Sequence, residues 1–179
     1  LKLSKTLSSH HEMNETEVGR LATMFYICGE LSMVGFHKSM KASKSHQEMG
    51  PPISLINVMK ACIPKFLPGR STVTPDRIRA HAIIAIGKLC LQMESTAKST
   101  LNILANEIQL SHEDKNWNIQ CNSLVVFGDL SMTYTGDVER YVPMMSTCLQ
   151  AGVSQYGQSD IPTDDGSENV REQAVLVLS

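Results

Sequence analysis

The chain holds 179 residues, 42% of them apolar and 19% charged, enough to bury a core and too apolar for a disordered tail. Aromatics make up 5% against ten methionines, a balance that suits interlocking helices over an all-β sandwich. The formal charge of −2 hides a basic middle, +7 over Lys38–Lys98, and an acidic end, −8 over Ser99–Ser179; the longest nearly apolar stretches are too short to cross a bilayer.

The first twenty residues are polar and carry no secretory signal. A start at Leu1 leads us to expect a stretch of something longer. Cys28, Cys62, Cys90, Cys121 and Cys148 stand singly, without the short spacing of a zinc knuckle or redox pair. They read as reduced, mostly buried thiols, which favours cytosol or nucleus over a secretory compartment.

In chain order, Asn14 with Glu17 three residues on resembles a capping box and opens a first helical block near 17–32. Met24, Phe25, Cys28 and Leu31 share its apolar stripe. His37–Pro52, rich in Lys, Ser and His and ending in Gly-Pro-Pro, reads as a loop near 37–52, and Ile53–Ile63 as a partner helix. Thr74-Pro75-Asp76 then predicts a helix start with a hydroxyl cap and an acid at the positive end of the dipole. The block near 75–91 places Ala82, Ile83, Ile86, Leu89 and Cys90 on one stripe. Ala97, Leu101, Leu104, Ala105 and Ile108 form its partner stripe. A third block near 117–132 carries Leu124, Phe127 and Leu130. Its partner runs from Val138 through Tyr141, Met145, Cys148 and Leu149, with Asp137 as cap and Pro143 forcing a kink or a later start. A Gly-, Ser-, Gln- and Asp-rich insert near 152–167 precedes a last block near 168–179.

These blocks are copies of one another. Arg77–Leu89 reads RIRAHAIIAIGKL, Asn118–Leu130 reads NIQCNSLVVFGDL 41 residues later, and Asn169–Ser179 reads NVREQAVLVLS 51 further on. Upstream, Gly19–Leu31 reads GRLATMFYICGEL, displaced by 58. Three copies close with Gly, a charged residue and Leu, at Gly29, Gly87 and Gly128. Helix pairs recurring every forty or so residues predict an all-α fold. The expected architecture is a HEAT/armadillo-like α-solenoid of antiparallel helix pairs, with residues 1–179 as a single repeat segment whose units stack on nearest neighbours.

Arg79-Ala80-His81-Ala82, running on to Gly87-Lys88-Leu89-Cys90-Leu91, resembles the HEAT-repeat D-type regulatory subunits of condensin. Asn122, Asp129-Leu130, Tyr134-Thr135 and Val138-Glu139-Arg140-Tyr141-Val142-Pro143 extend the resemblance over Asp76–Leu149. Ala97-Lys98 and Tyr134-Thr135 are more similar to the condensin II version. The family places Val-Arg at the start of the inner helix; Ile78-Arg79 and Val170-Arg171 fit, whereas Ile119-Gln120 departs. The resemblance implies a non-catalytic scaffold in mitotic chromosome condensation. It also implies binding to the kleisin subunit of an SMC2–SMC4 heterodimer, contact with double-stranded DNA or chromatin, and a place in the nucleus, on chromosomes. The alternative reading is a HEAT adaptor of another class, a nuclear transport receptor or phosphatase scaffold binding peptide segments.

No catalytic constellation, cofactor motif, metal-ligand spacing or small-molecule site emerges from the residues, and the chain is not expected to be an enzyme. Gly87 and Gly128, with Leu89 and Leu130, read as repeat positions that let helices approach. Arg79 and Arg171 read as ties between neighbouring repeats. The alternating signs at Glu30, Lys88 and Asp129 read as solvent-facing or inter-repeat ion pairs. Lys38, Lys41, Lys44, Lys60, Lys65 and Arg70 are the candidate DNA contacts. They are suited to phosphates and not to bases, because no aromatic residues interleave with them.

Overall fold

The computed structural model describes residues 13–41, 53–67, 74–152 and 166–179, and among these every regular element is helical. The first helix, α1, spans Glu15–Lys41. Its capping box forms as read: Glu17 N–H donates to Asn14 Oδ1 and Asn14 N–H to Glu17 Oε2, both at 3.0 Å. The helix also takes in 37–41, which composition had placed in a loop. That stretch contains neither Gly nor Pro, so nothing in the backbone stops the helix there. The remainder of that expected loop, 42–52, lies outside the described residues, as does 153–165 of the later insert.

Helix α2 (Ile53–Cys62) runs into a 3₁₀ turn at Ile63–Phe66. Phe66 meets Phe25 of α1 edge-on, ring centroids 5.2 Å apart. Helix α3 covers Asp76–Cys90. Its N-cap is Pro75, not Thr74, and no side chain caps it. The Pro75 carbonyl instead accepts from Ile78 N–H at 2.9 Å and Arg79 N–H at 3.2 Å, which leaves the Thr74 hydroxyl one residue too early. Helix α4, Glu94–Glu113, turns back after three residues and buries Ala97, Leu101, Leu104 and Ile108.

The α4 exit is a Schellman turn built on a non-glycine residue. Lys115 takes φ 54°, Asn116 N–H donates to Ser111 O at 2.8 Å, and Lys115 N–H donates to His112 O at 3.3 Å. Asn116 then caps α5 (Trp117–Thr133) by accepting from Ile119 N–H at 3.3 Å. One residue thus closes one helix and opens the next.

The partner of α5 is not a single helix. It breaks into α6 (Thr135–Val138), a 3₁₀ turn at Glu139–Tyr141, α7 (Val142–Thr147) and a second 3₁₀ turn at Cys148–Gln150. Pro143 sits in the first turn of α7, where its missing N–H costs nothing. Asp137 lies in the first turn of α6 and caps nothing. Helix α8, Ser167–Leu178, starts after Gly166 at φ 85°.

The helices α1, α3, α5 and α8 form one row, each packed on the next, and α2, α4 and α6–α7 cover the row's other side. The core is continuous along it, from Phe25 and Met59 through Ile83, Leu89, Leu104 and Phe127 to Val170. This is an all-α solenoid whose units lean on their neighbours. Met24, Leu31 and Leu149, assigned to buried stripes from periodicity, are exposed.

Candidate functional site

The row α1–α3–α5–α8 is held by one repeated contact. A Cβ on Gly87 would lie 2.5 Å from Val126 Cγ2, and one on Gly128 2.9 Å from Val177 Cγ2. A Cβ on Gly29 would lie 3.3 Å from Ala85 Cα. Ala85, Val126 and Val177 are themselves equivalent residues, separated by 41 and 51 positions like the copies they belong to. Each glycine therefore seats the matching residue of the following helix, and Leu89 and Leu130 are fully buried two positions on.

A charge ladder runs beside these glycines. Lys88 Nζ pairs with Glu30 Oε1, its equivalent on the preceding helix. Desolvation raises the Asp129 carboxyl above its usual range, outweighing the opposing charge of Lys88. At this position the Glu30–Lys88 pair links α1 to α3. Arg77 adds a surface pair to Glu15 at 2.9 Å.

Arg79 ties α3 to α4, the two helices of one unit, and not one repeat to the next as read from the sequence. It is 6% exposed and donates to Glu107 Oε2 at 2.7 Å and to Asp76 Oδ1 at 3.1 Å. Burial pushes the Glu107 carboxyl up, outweighing the pull of Arg79. Gln120, the departure from the Val-Arg pattern, occupies the equivalent place on α5. It is fully buried and donates to Cys148 Sγ at 3.3 Å. Glu107 and Cys148 are 41 residues apart, so a Gln–Cys pair replaces an Arg–Glu pair at the same point of the next unit. Arg171, in the last copy, donates to Ala151 O at 2.6 Å, which is a tie to the preceding unit, and to Ser167 Oγ of its own helix at 3.2 Å.

Among the described residues no three of His, Cys, Asp and Glu gather where a metal ion could sit. Burial pushes the Cys90 thiol up to about 11 and raises the half-buried Cys121 and the buried Cys148 as well, which favours the protonated thiol over the reactive thiolate. His81 Nδ1 lies 2.8 Å from Arg77 O, within its own helix. What the row does offer is a shallow notch of about 180 Å³ between α1, α3 and α5. Phe25, Tyr26 and Ile84 supply apolar surface there, and His81, Lys88 and Asn122 polar groups. A second notch of about 220 Å³, lined by Lys60, Ser95, Thr96, Ser99 and Thr100, opens beside α4.

Of the candidate DNA contacts, Lys60 and Lys65 are exposed. Lys38 and Lys41 lie in α1, and Lys44 and Arg70 fall outside the described residues.

The family model of condensin-2 complex subunit D3-like HEAT repeats matches residues 32–108, reaching upstream of the motifs that first suggested it. Over that stretch the chain is similar to the HEAT repeats of the condensin-2 D3-like family. The chain is 37% identical over 142 residues to "Condensin-2 complex subunit D3" of Mus musculus, 79% of this chain and 8% of that protein. It is 43% identical over 76 residues to "Condensin-2 complex subunit D3-L" of Xenopus laevis, 42% of this chain and 5% of that protein. The chain thus spans less than a tenth of either relative. No solved structure matches it.

Several ties had escaped sequence reading. Asn122 Nδ2 donates to Ala80 O at 3.3 Å, and Tyr134 Oη donates to Cys90 O at 3.1 Å. The Gln92 amide donates to Ser32 O. In each case a side chain of one unit satisfies a backbone carbonyl of the unit before it. No residue type signals such a role, because any amide or hydroxyl at the right height serves.

Proposed function

We propose that this segment is a non-catalytic scaffold element of a condensin II D3 subunit, acting in mitotic chromosome condensation on nuclear chromosomes. The row α1–α3–α5–α8 would hold an extended kleisin segment and so join an SMC2–SMC4 heterodimer. The register of Gly29, Gly87 and Gly128 carries this reading: a stack locked at identical points presents a stiff, continuous surface, as ordering a flexible partner requires. The notch beside Tyr26 and Ile84 supplies an apolar seat for an anchor side chain, and ATP hydrolysis is left to the SMC partners.

Pull-down of the whole subunit with overlapping kleisin fragments tests it. One fragment should be retained, and Tyr26→Ala should weaken retention about tenfold, because Tyr26 is 57% exposed and carries little of the core. Failure of every fragment to bind removes the kleisin assignment.

A direct DNA contact is the second reading, supported by the exposed Lys60 and Lys65 and by hydroxyls next to Lys60. Lys38, Lys41, Lys44 and Arg70 would extend this phosphate-binding track. Gel-shift titration over a range of salt should show binding that falls steeply with salt. Each of Lys60→Glu and Lys65→Glu should lower the log–log slope by about one. Salt-insensitive binding, or none, removes the track.

A further inference from the structure

The seams between the covering helices are finished differently. In the seam between α4 and α6, Asp137 sets its carboxylate 3.8 Å from Lys98 of α4. The residue 41 positions earlier, one repeat back, is Thr96 in the first turn of α4. Thr96 lines the notch of about 220 Å³ that opens toward α2, and so does Lys60 of that helix. No carboxylate pairs with Lys60 among the described residues. Each seam thus carries a lysine from the preceding covering helix, but only the later one supplies its anion from within the chain.

The notch is prepared for an anion from outside. Thr96 is 6% exposed, and its hydroxyl has no hydrogen-bond partner, a costly state for a buried polar group. Helix α4 has no side-chain cap, so its positive end opens on the notch through Ser95 and Thr96. No acidic residue lines it; Glu94, at the same helix end, is held by Lys98 at 2.6 Å. Ser99 Oγ donates to Thr96 O, and the Thr100 hydroxyl is engaged with Cys90. That leaves Lys60 and the hydroxyls of Ser95 and Thr96 to meet an anion, with Ile86 and Ile103 as apolar wall.

We propose that this notch between α2 and α4 seats a phosphate monoester, the phosphorylated serine or threonine of a partner segment, between Lys60 and the hydroxyls of Ser95 and Thr96. A monoester carries three acceptor oxygens at the end of a short carbon stem. The phosphate reaches the recessed hydroxyl while the stem lies against the isoleucines. A DNA phosphate is flush with its backbone and is better served by a track of successive lysines than by one recessed seat. The proposal does not rest on the DNA reading and competes with it for Lys60.

Heteronuclear NMR of the full, isotope-labelled chain tests it, with the capped peptide acetyl-Gly-phosphoserine-Gly-amide as probe. The Ser95 and Thr96 amide signals should shift saturably, and the unphosphorylated peptide should leave them in place. Lys60→Gln and Thr96→Val should each weaken binding about tenfold, the loss of one charge-assisted hydrogen bond. Thr96→Val should not lower the melting temperature of the free chain, because the hydroxyl it removes has no partner. A lower melting temperature would mean that the hydroxyl is already tied within the chain, and overturns the proposal. So does the absence of saturable shifts, or shifts that survive both substitutions. Equal binding of inorganic phosphate, or of the peptide with glutamate for phosphoserine, would make the site a general anion seat and overturns it as well. Duplex DNA that shifts the same amides, and loses this with Thr96→Val, would assign the notch to DNA instead.

Discussion

Gly87 lies so close under Val126 that a single added carbon would sit 2.5 Å from one Val126 methyl and 2.8 Å from the other. In an isolated helix Gly87→Ala would be favourable by about 1 kcal/mol, because alanine has the higher helix propensity. In this row the sign reverses. The added methyl forces α3 and α5 apart, an overpacking cost of about 1–3 kcal/mol. Thermal unfolding should show Gly87→Ala destabilised and Gly87→Ala/Val126→Ala recovering part of the loss. A stabilised Gly87→Ala variant would mean the helices do not meet there.

The two buried polar pairs give a second prediction. Arg79→Gln leaves Glu107 buried at 0% exposure without its cation, and breaking such a pair on one side costs about 3–5 kcal/mol. The double change Arg79→Gln/Glu107→Cys installs the pair that Gln120 and Cys148 already form one unit later. It should recover most of that loss in urea unfolding. If the double variant is as unstable as the sum of the singles, the two sites are not structurally equivalent.

The stack itself was legible because its signals are local and periodic: Gly-charged-Leu endings, apolar stripes at helical spacing, and the Asn14–Glu17 box. The polar ties were not. Gln120 looked like a lapse from an Arg pattern, because its partner Cys148 sits 28 residues away and only the fold shows that Cys148 stands where Glu107 stood. Met24 and Leu31 matched the periodicity of a buried stripe, yet burial depends on a neighbouring helix that periodicity cannot supply. Pro143 announced a break, but how Thr135–Gln150 divides between α and 3₁₀ turns is set by packing on α5. The proposed DNA contacts rest on charge alone, which composition reveals.

Lys115 carries a third prediction. At φ 54° its Cβ crowds the backbone, and glycine is the residue this position favours. Lys115→Gly should stabilise the chain by about 1 kcal/mol, with no change in the Asn116 cap that follows. A loss of stability on differential scanning calorimetry would show that the lysine side chain makes a compensating contact.

Cys90 ties stability to alkaline pH. It is fully buried in α3, and burial raises its thiol from the ordinary value near 9 to about 11, outweighing the opposing hydrogen bond with Thr100 and the charge of Lys60. Between those values the unfolded chain gives up the proton while the folded chain keeps it, so the folded state binds more protons and stability falls as pH rises. The two-unit window corresponds to about 3 kcal/mol, fully present below pH 9 and lost by about pH 11. Urea midpoints measured from pH 8 to 11 should decline accordingly, and Cys90→Ala should flatten the decline after an initial loss from its small cavity. In the native state at pH 8, Ellman's reagent should leave Cys90 unmodified until urea unfolds the chain. Rapid labelling of Cys90 under native conditions would place its thiol at the surface and remove the basis for the alkaline decline.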